Sequence, residues 1–432
     1  MITPRSQRNR CANTKRTRTI ESLEKRDLMA VDGFAPIDGF GNNIENPEIG
    51  TVGELFTRIS PAAYADGFSE PARMDEMNAR DISNILSAQE ESLTNDRFIT
   101  SMWFQWGQFL DHDINRVFDV RGFEQTSEIT SLDISEEFPF NRSPYDPETG
   151  VTTPREHVNH VSAFIDGSVV YGSTQERSDA LRSFEGGQLK SQETESGELL
   201  PFNTEGLMND PAPVDAFFLA GDVRSNENIG LTSMQTLWVR EHNRLATEIA
   251  ASDFAGQDLT DPEVDEAIFQ RARQQVIGLI QNITYNEFLP STLGFNAIPT
   301  YSGYDPNADP SMSNEFAAAS FRIGHTTLAD ELLIGSDGTS IELKDAFFQP
   351  HFIVENGIEG VLEGLTVQEM QESDNLVVDG VRNFLDDGPG FDLAAINIQR
   401  GRDHGLPDFN TSQLQRQRIR SVRTRLISCS LN

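Results

Sequence analysis

Apolar side chains return every three or four positions in several stretches of this chain, and each such stretch predicts a helix. The first carries Phe98, Ile99, Met102, Trp103, Trp106 and Phe109, with Thr94 or Asn95 placed to cap it. Further helices are expected over Thr232–Ala250, Glu263–Leu279 and Ser313–Leu328. Residues 33–70 and 119–155 hold scattered Gly, Pro and Asn without a sustained period and read as loops. Alternation of period two is scarce and no internal repeat is found. The pattern predicts a mainly α-helical body with long loops.

Polar residues interrupt the first of these helices in a way that asks for a use. In Trp103-Phe-Gln-Trp-Gly-Gln-Phe-Leu-Asp-His-Asp113, Gln108, Asp111 and His112 fall three and four residues apart and share one face. Asp113 lies about 100° further round and points elsewhere. An amide, a carboxylate and an imidazole on an otherwise aromatic helix are costly unless something there engages them. A second candidate is the loop Val161-Ser-Ala-Phe-Ile-Asp-Gly-Ser168, where Ser162, Asp166 and Ser168 are four and two residues apart. Hard oxygen donors on one short loop suit Ca²⁺, although a loop of this kind by itself is more often a plain turn. No Cys/His cluster suits zinc, no glycine-rich phosphate loop follows a strand, and His157 and His160 have no third ligand near them in sequence.

These segments, in this order, resemble the animal-type haem peroxidases. The run around His112 resembles that family's distal helix, and Asp38-Gly-Phe-Gly-Asn-Asn43 resembles the start of its domain. Ala220-Gly-Asp-Val-Arg-Ser-Asn-Glu227 resembles the segment that supplies the distal arginine, and it adjoins Leu-Trp-Val-Arg-Glu-His-Asn-Arg-Leu-Ala246 as in the family. Phe321-Arg-Ile-Gly-His-Thr326 resembles the proximal motif, and Ala394-Ala-Ile-Asn-Ile-Gln-Arg-Gly-Arg-Asp-His-Gly-Leu-Pro407 the segment that supports it. The likeness runs from about Asp38 to Asn410 and implies a single helical domain with haem b buried between helices.

The resemblance also implies roles. His112 is the catalytic base toward hydrogen peroxide, Arg224 the cation that stabilises developing charge, and Gln108 their catalytic neighbour. His325 is the iron ligand, and Asn397 accepts the bond that orients it. Arg322 and Arg400 meet the haem propionates, and Asp111 and Glu227 match carboxylates that form ester links to haem. Asp113 and the Phe164 carbonyl join Ser162, Asp166 and Ser168 around calcium, which favours the cation reading of that loop. His242 is expected to be structural. The family's sulfonium link needs a Met after the covalent Glu, and Asn228 stands there.

Charge and cysteine content narrow the partners. Lys+Arg number 34 against 68 Asp+Glu, a net charge of −34 over 432 residues, which argues against nucleic acid or an anionic membrane. Basic residues concentrate at the two ends, so residues 1–32 read as a disordered basic leader, 33–411 as the domain, and 412–432 as a basic low-complexity tail. The tail stands where family members continue for several helices, so those helices are expected to be missing. Cys11 and Cys429 lie in opposite ends, so no disulfide framework is expected in the body. No run approaches the roughly 18 apolar residues of a membrane span, and no apolar signal-peptide core is present. Ile20–Ala30 resembles a segment near the start of exported bacterial surface proteins, which would place the protein outside the cell or on its surface; an ordinary disordered tail is the alternative.

The leading expectation is thus a haem peroxidase that uses hydrogen peroxide to oxidise a small donor, halide, pseudohalide or phenol. A non-catalytic extracellular or adhesive protein on the same fold is the alternative. A fatty-acid dioxygenase of the same superfamily would need a radical-forming Tyr three residues before the proximal His, where this chain has Arg322.

Overall fold

The computed structural model describes residues 34–117, 129–131, 139–383 and 392–414. The sequence-predicted leader, both cysteines, and the tail beyond residue 414 lie outside these described residues. The backbone is mainly helical. In chain order the helices are α1 (Ala79–Leu86), α2 (Met102–Ile114), α3 (Ser168–Tyr171), α4 (Gln175–Leu181), α5 (Ile229–Asp253), α6 (Pro262–Ile283), α7 (Leu289–Leu293) and α8 (Asn314–Ala318). They continue with α9 (Pro350–Asn356), α10 (Glu359–Val367), α11 (Asp379–Arg382) and α12 (Leu393–Asp403). Among the described residues, strands occur as three antiparallel pairs of three-residue segments, one of them joining Ile129–Ser131 to Pro139–Asn141 inside the region expected to be loop.

The long pair α5 and α6 organises the core. Each starts on a side-chain cap: Asn228 accepts from the amide of Leu231, and Asp261 accepts from those of Glu263 and Val264. Pro262 opens α6 where its missing N–H costs nothing. Both helices extend beyond the sequence-predicted bounds because these caps lie outside the apolar pattern that predicted them. Leu231, Met234, Trp238, Leu245 and Ala246 of α5 and Ile268, Phe269, Ala272, Val276 and Ile280 of α6 are all buried in one cluster. Each large apolar side chain so buried contributes roughly 1.5–3 kcal/mol before entropy is set against it.

Helix α2 crosses this pair. Trp106 and Phe109 each lie 6.1 Å from the Trp238 ring, and a Cβ on Gly230 would stand 2.3 Å from Gln105 Oε1. The glycine therefore permits the close approach of α2 to the start of α5. This crossing fixes the face carrying Gln108, Asp111 and His112.

Two expected boundaries differ. Helix α2 begins at Met102, so neither Thr94 nor Asn95 caps it. Asn95 instead closes a local loop, accepting from the Ile99 amide and donating to its carbonyl, and Phe98 takes a φ of 56° with 75% exposure. Backbone groups of Asn95, Ile99 and Ser101 bond to Gln368 and Met370, so this stretch gives its hydrogen bonds to a distant segment. The helix expected over Ser313–Leu328 breaks at Ala319 into α8 and a 3₁₀ segment, Ser320–Thr327. Thr326 and Thr327 donate their hydroxyls to the carbonyls three residues back, which competes with an α-helical ladder.

Candidate active site

A cavity of about 310 Å³ lies between α2, the loop before α5 and the 3₁₀ segment. That falls within the ~300–1,000 Å³ usual for cofactor and ligand pockets. Gln108, Asp111 and His112 face it from α2, Arg224, Glu227 and Asn228 from the loop, and Arg322 and His325 from the 3₁₀ segment. Residues from three distant parts of the sequence thus meet as expected. Phe104, Phe321, Phe347 and Leu393 supply apolar walls.

The His112 wall is tightly connected. His112 Nδ1 lies 2.7 Å from Asp222 Oδ2, and its Nε2 lies 3.8 Å from Glu227 Oε2. Arg224 Nε reaches Asp222 Oδ1 at 3.1 Å. Arg224 Nη2 donates to the carbonyls of His112 and Asn115 at 3.3 and 3.2 Å, which ties the arginine to the end of α2. Burial alone would raise the Asp222 carboxyl, but Arg224 and then His112 hold it well below the usual carboxylate range. Burial also opposes the charge of Arg224, yet Asp222, Glu227 and Asp111 together raise it above an ordinary arginine. Gln108 donates to Glu227 Oε2 at 2.9 Å and accepts from Asn228 Nδ2 at 2.9 Å. Asn228 therefore both caps α5 and links its start to α2. Sequence reasoning missed Asp222, whose contact with His112 spans 110 residues and has no local pattern.

On the opposite wall, Asn397 of α12 approaches His325 Nδ1 at 3.0 Å. The ring's Nε2 is left for the cavity. Burial, and then the charge of Arg322, push His325 down to about 4, so it is neutral at ordinary pH, the form in which imidazole binds iron. The pairing of Asn397 with His325 matches expectation, but its direction does not. The amide nitrogen faces the ring, while Asn397 Oδ1 accepts from Arg322 Nη1 at 3.3 Å. Iron ligation through Nε2 requires a proton on Nδ1, and hence the amide turned about so that its oxygen accepts.

Arg322 lies on the cavity wall, where burial and then the neighbouring Arg400 push it down to about 10. Its guanidinium suits an anionic ligand edge. Arg400 stands back from the wall. Its Nη1 is engaged by the Asn141 carbonyl, Ser143 Oγ and Asp403, and its guanidinium lies 4.3 Å from the Phe140 ring. A neutral imidazole on one wall, a base and a cation on the other, apolar sides and Arg322 at an edge fit haem.

Asp113 points away from the cavity into the 162–168 loop, as its helical position requires. Its carboxylate takes the Ser168 hydroxyl at 2.9 Å and the amides of Gly167 and Val169 at 3.2 Å each. Ser162 Oγ donates to Asp166 and faces the Phe164 carbonyl at 3.5 Å. Burial raises Asp113 to about 6, and burial with the charge of Asp113 raises Asp166 to about 7. Two buried carboxylates that disfavour one another, with hydroxyl and carbonyl oxygens around them, form a donor set of the kind Ca²⁺ takes.

Two further histidine readings are resolved. His242 is structural: Nδ1 meets the Tyr171 hydroxyl at 2.9 Å and Nε2 the Gly187 carbonyl at 2.8 Å. His157 is not grouped with His160. Its ring stacks on His404 at 3.7 Å, beside Asp403, a juxtaposition the sequence separation conceals. Burial, and then Arg58, Arg400, Arg155 and Arg142, hold His157 well below its ordinary value, and that much positive charge opposes a metal ion there.

A model of the family described as animal haem peroxidase matches residues 34–423. Peroxinectin A of Dictyostelium discoideum is 34% identical over 419 residues, covering 88% of this chain and 75% of that protein. Human myeloperoxidase is 33% identical over 444 residues, and the match covers 88% of this chain but 58% of its own length. Among solved structures, peroxidase A from Dictyostelium discoideum superimposes with a TM-score of 0.78 at 32% identity, covering 88% of this chain and 78% of that one. A fatty acid alpha-dioxygenase of Arabidopsis thaliana gives 0.67 at 17% identity, covering 88% and 64%, a likeness of fold alone.

Proposed function

This chain belongs to the animal haem peroxidase family, and we propose that it uses hydrogen peroxide to oxidise small donors at the cavity between His112 and His325. One observation carries the reading: the neutral His325 and the His112–Arg224 pair face each other across a single cavity. Bound haem would supply the iron that receives peroxide and holds its oxidising equivalents. His325 would hold that iron, Arg322 would sit toward the propionates with Arg400 behind it, and Asp111 and Glu227 are placed to form ester links.

The chain's own chemistry lies on the α2 side. His112 takes the proton from the inner peroxide oxygen and returns it to the outer one, which then leaves as water. Arg224 offsets the negative charge that develops between the two oxygens. Gln108, fixed by Glu227 and Asn228, presents an amide to the same space. Asp113, Ser162, Phe164, Asp166 and Ser168 would bind calcium next to the base and hold the end of α2 in place.

Asn228 cannot form a sulfonium link, which withdraws electrons from haem in the family's strongest halide oxidants. Bromide, iodide, thiocyanate and phenols are therefore favoured donors over chloride. Arg322 stands where a dioxygenase needs its radical Tyr, and a site that keeps base, cation and iron ligand together does not support a purely adhesive role. Purified protein supplied with haem should bind about one haem per chain, and His325→Ala should lose it. Full haem retention by His325→Ala would contradict the assignment.

A further inference from the structure

The only carboxylate touching both His112 and Arg224 among the described contacts is Asp222. It is 3% exposed, on a loop pinned by its own backbone. Its amide donates to the Val169 carbonyl at 2.9 Å, and Arg177 Nη2 donates to its carbonyl at 3.3 Å. One carboxylate oxygen serves Arg224. The other, Oδ2, lies 2.7 Å from His112 Nδ1. Neither atom has any other partner among the described residues. Both atoms are buried, so among the described residues each faces the other as its polar partner.

We infer that Asp222 is the positioning residue of the peroxide reaction: it holds the proton of His112 on Nδ1, so that Nε2 faces the cavity as a free base. The inference deepens the proposed peroxidase reading and rests on His112 as the base. The chemistry is direct. A neutral imidazole carries one N–H, and the nitrogen facing a buried anion is the one that keeps it. The other nitrogen then carries the lone pair that peroxide needs. A carboxylate behind the ring also makes that lone pair more basic and restricts ring rotation. Because the same carboxylate holds Arg224 Nε, it sets the spacing between base and cation. The sharing explains why a full negative charge is kept in a buried loop where it costs solvation.

The test is a double-mutant cycle in haem-loaded protein, read by stopped-flow as the rate of reaction with hydrogen peroxide. Asp222→Asn keeps the shape and removes the charge. It should slow the reaction by roughly ten- to a hundredfold with the haem spectrum intact. In a His112→Ala background, the same change should cost several-fold less, because the part of its effect that passes through the imidazole is gone and only the part through Arg224 remains. Equal losses in both backgrounds, or no loss in either, would overturn the assignment. If His112→Ala itself reacts like wild type, the base reading fails first. If His112→Ala is slow and Asp222→Asn is not, only the role of Asp222 fails. Should Asp222→Asn not hold haem, the wild-type protein decides. In its diamagnetic ferrous carbonyl form, ¹⁵N-labelled histidine should report a slowly exchanging proton on His112 Nδ1. A proton on Nε2 would overturn the inference.

Discussion

At the scale of single residues, helical spacing made much of the site readable. Gln108, Asp111 and His112 share a face because they are three and four residues apart, and all three line the cavity. The same geometry sends Asp113 to the cation loop. Asp222 was not readable, because nothing in Ala220-Gly-Asp-Val-Arg224 says which of its neighbours meets an imidazole 110 residues away. One prediction belongs here. Asp111 and Glu227 both line the cavity, so after exposure to peroxide the haem should resist acid–organic extraction. Mass spectrometry should then place it on peptides containing those residues. Complete recovery of unmodified haem would rule the esters out.

At the scale of elements, periodicity located α2, α5 and α6 but misplaced ends. The start of α2 was drawn too early because Phe98 and Ile99 continue the apolar spacing, while their backbone partners lie around residue 370. The 3₁₀ segment read as helix because hydroxyl-to-carbonyl bonds at Thr326 and Thr327 are invisible to an apolar pattern. The short helices α9, α10 and α12 were not foreseen, being too brief to show a period. The α2–α3 junction carries the second prediction. Asp113 and the 162–168 loop join segments about 50 residues apart, so calcium bound there should couple to the stability of the His112 wall. A chelator should lower the melting temperature and alter the haem spectrum together. Unchanged values for both would remove calcium from the account.

At the scale of the whole molecule, motif order across the chain indicated the family, and the fold followed from that resemblance more than from periodicity. The acid response of the folded protein gives a third prediction. His157 is buried and neutral, with its folded value well below the ordinary histidine value of about 6.5. Its stabilising contribution is thus complete above about pH 6.5 and is lost as pH falls, because the unfolded chain then binds a proton that the native chain refuses. His157→Phe preserves the stack on His404 and removes that proton. Its unfolding free energy should fall less steeply between pH 6 and 5, by up to about 1.4 kcal/mol per pH unit. Equal slopes for the two proteins would show that His157 does not titrate this way.

The central claim is that one cavity holds an iron ligand on one wall and a peroxide base on the other, and a single measurement addresses it most directly. Wild-type and His112→Ala proteins, each with one haem per chain, are mixed with hydrogen peroxide and followed by stopped-flow absorbance. The variant should keep its resting haem spectrum yet react several orders of magnitude more slowly, on the order of 10²–10⁴-fold if proton transfer is its main loss. A His112→Ala protein that reacts with peroxide at the wild-type rate would contradict the account.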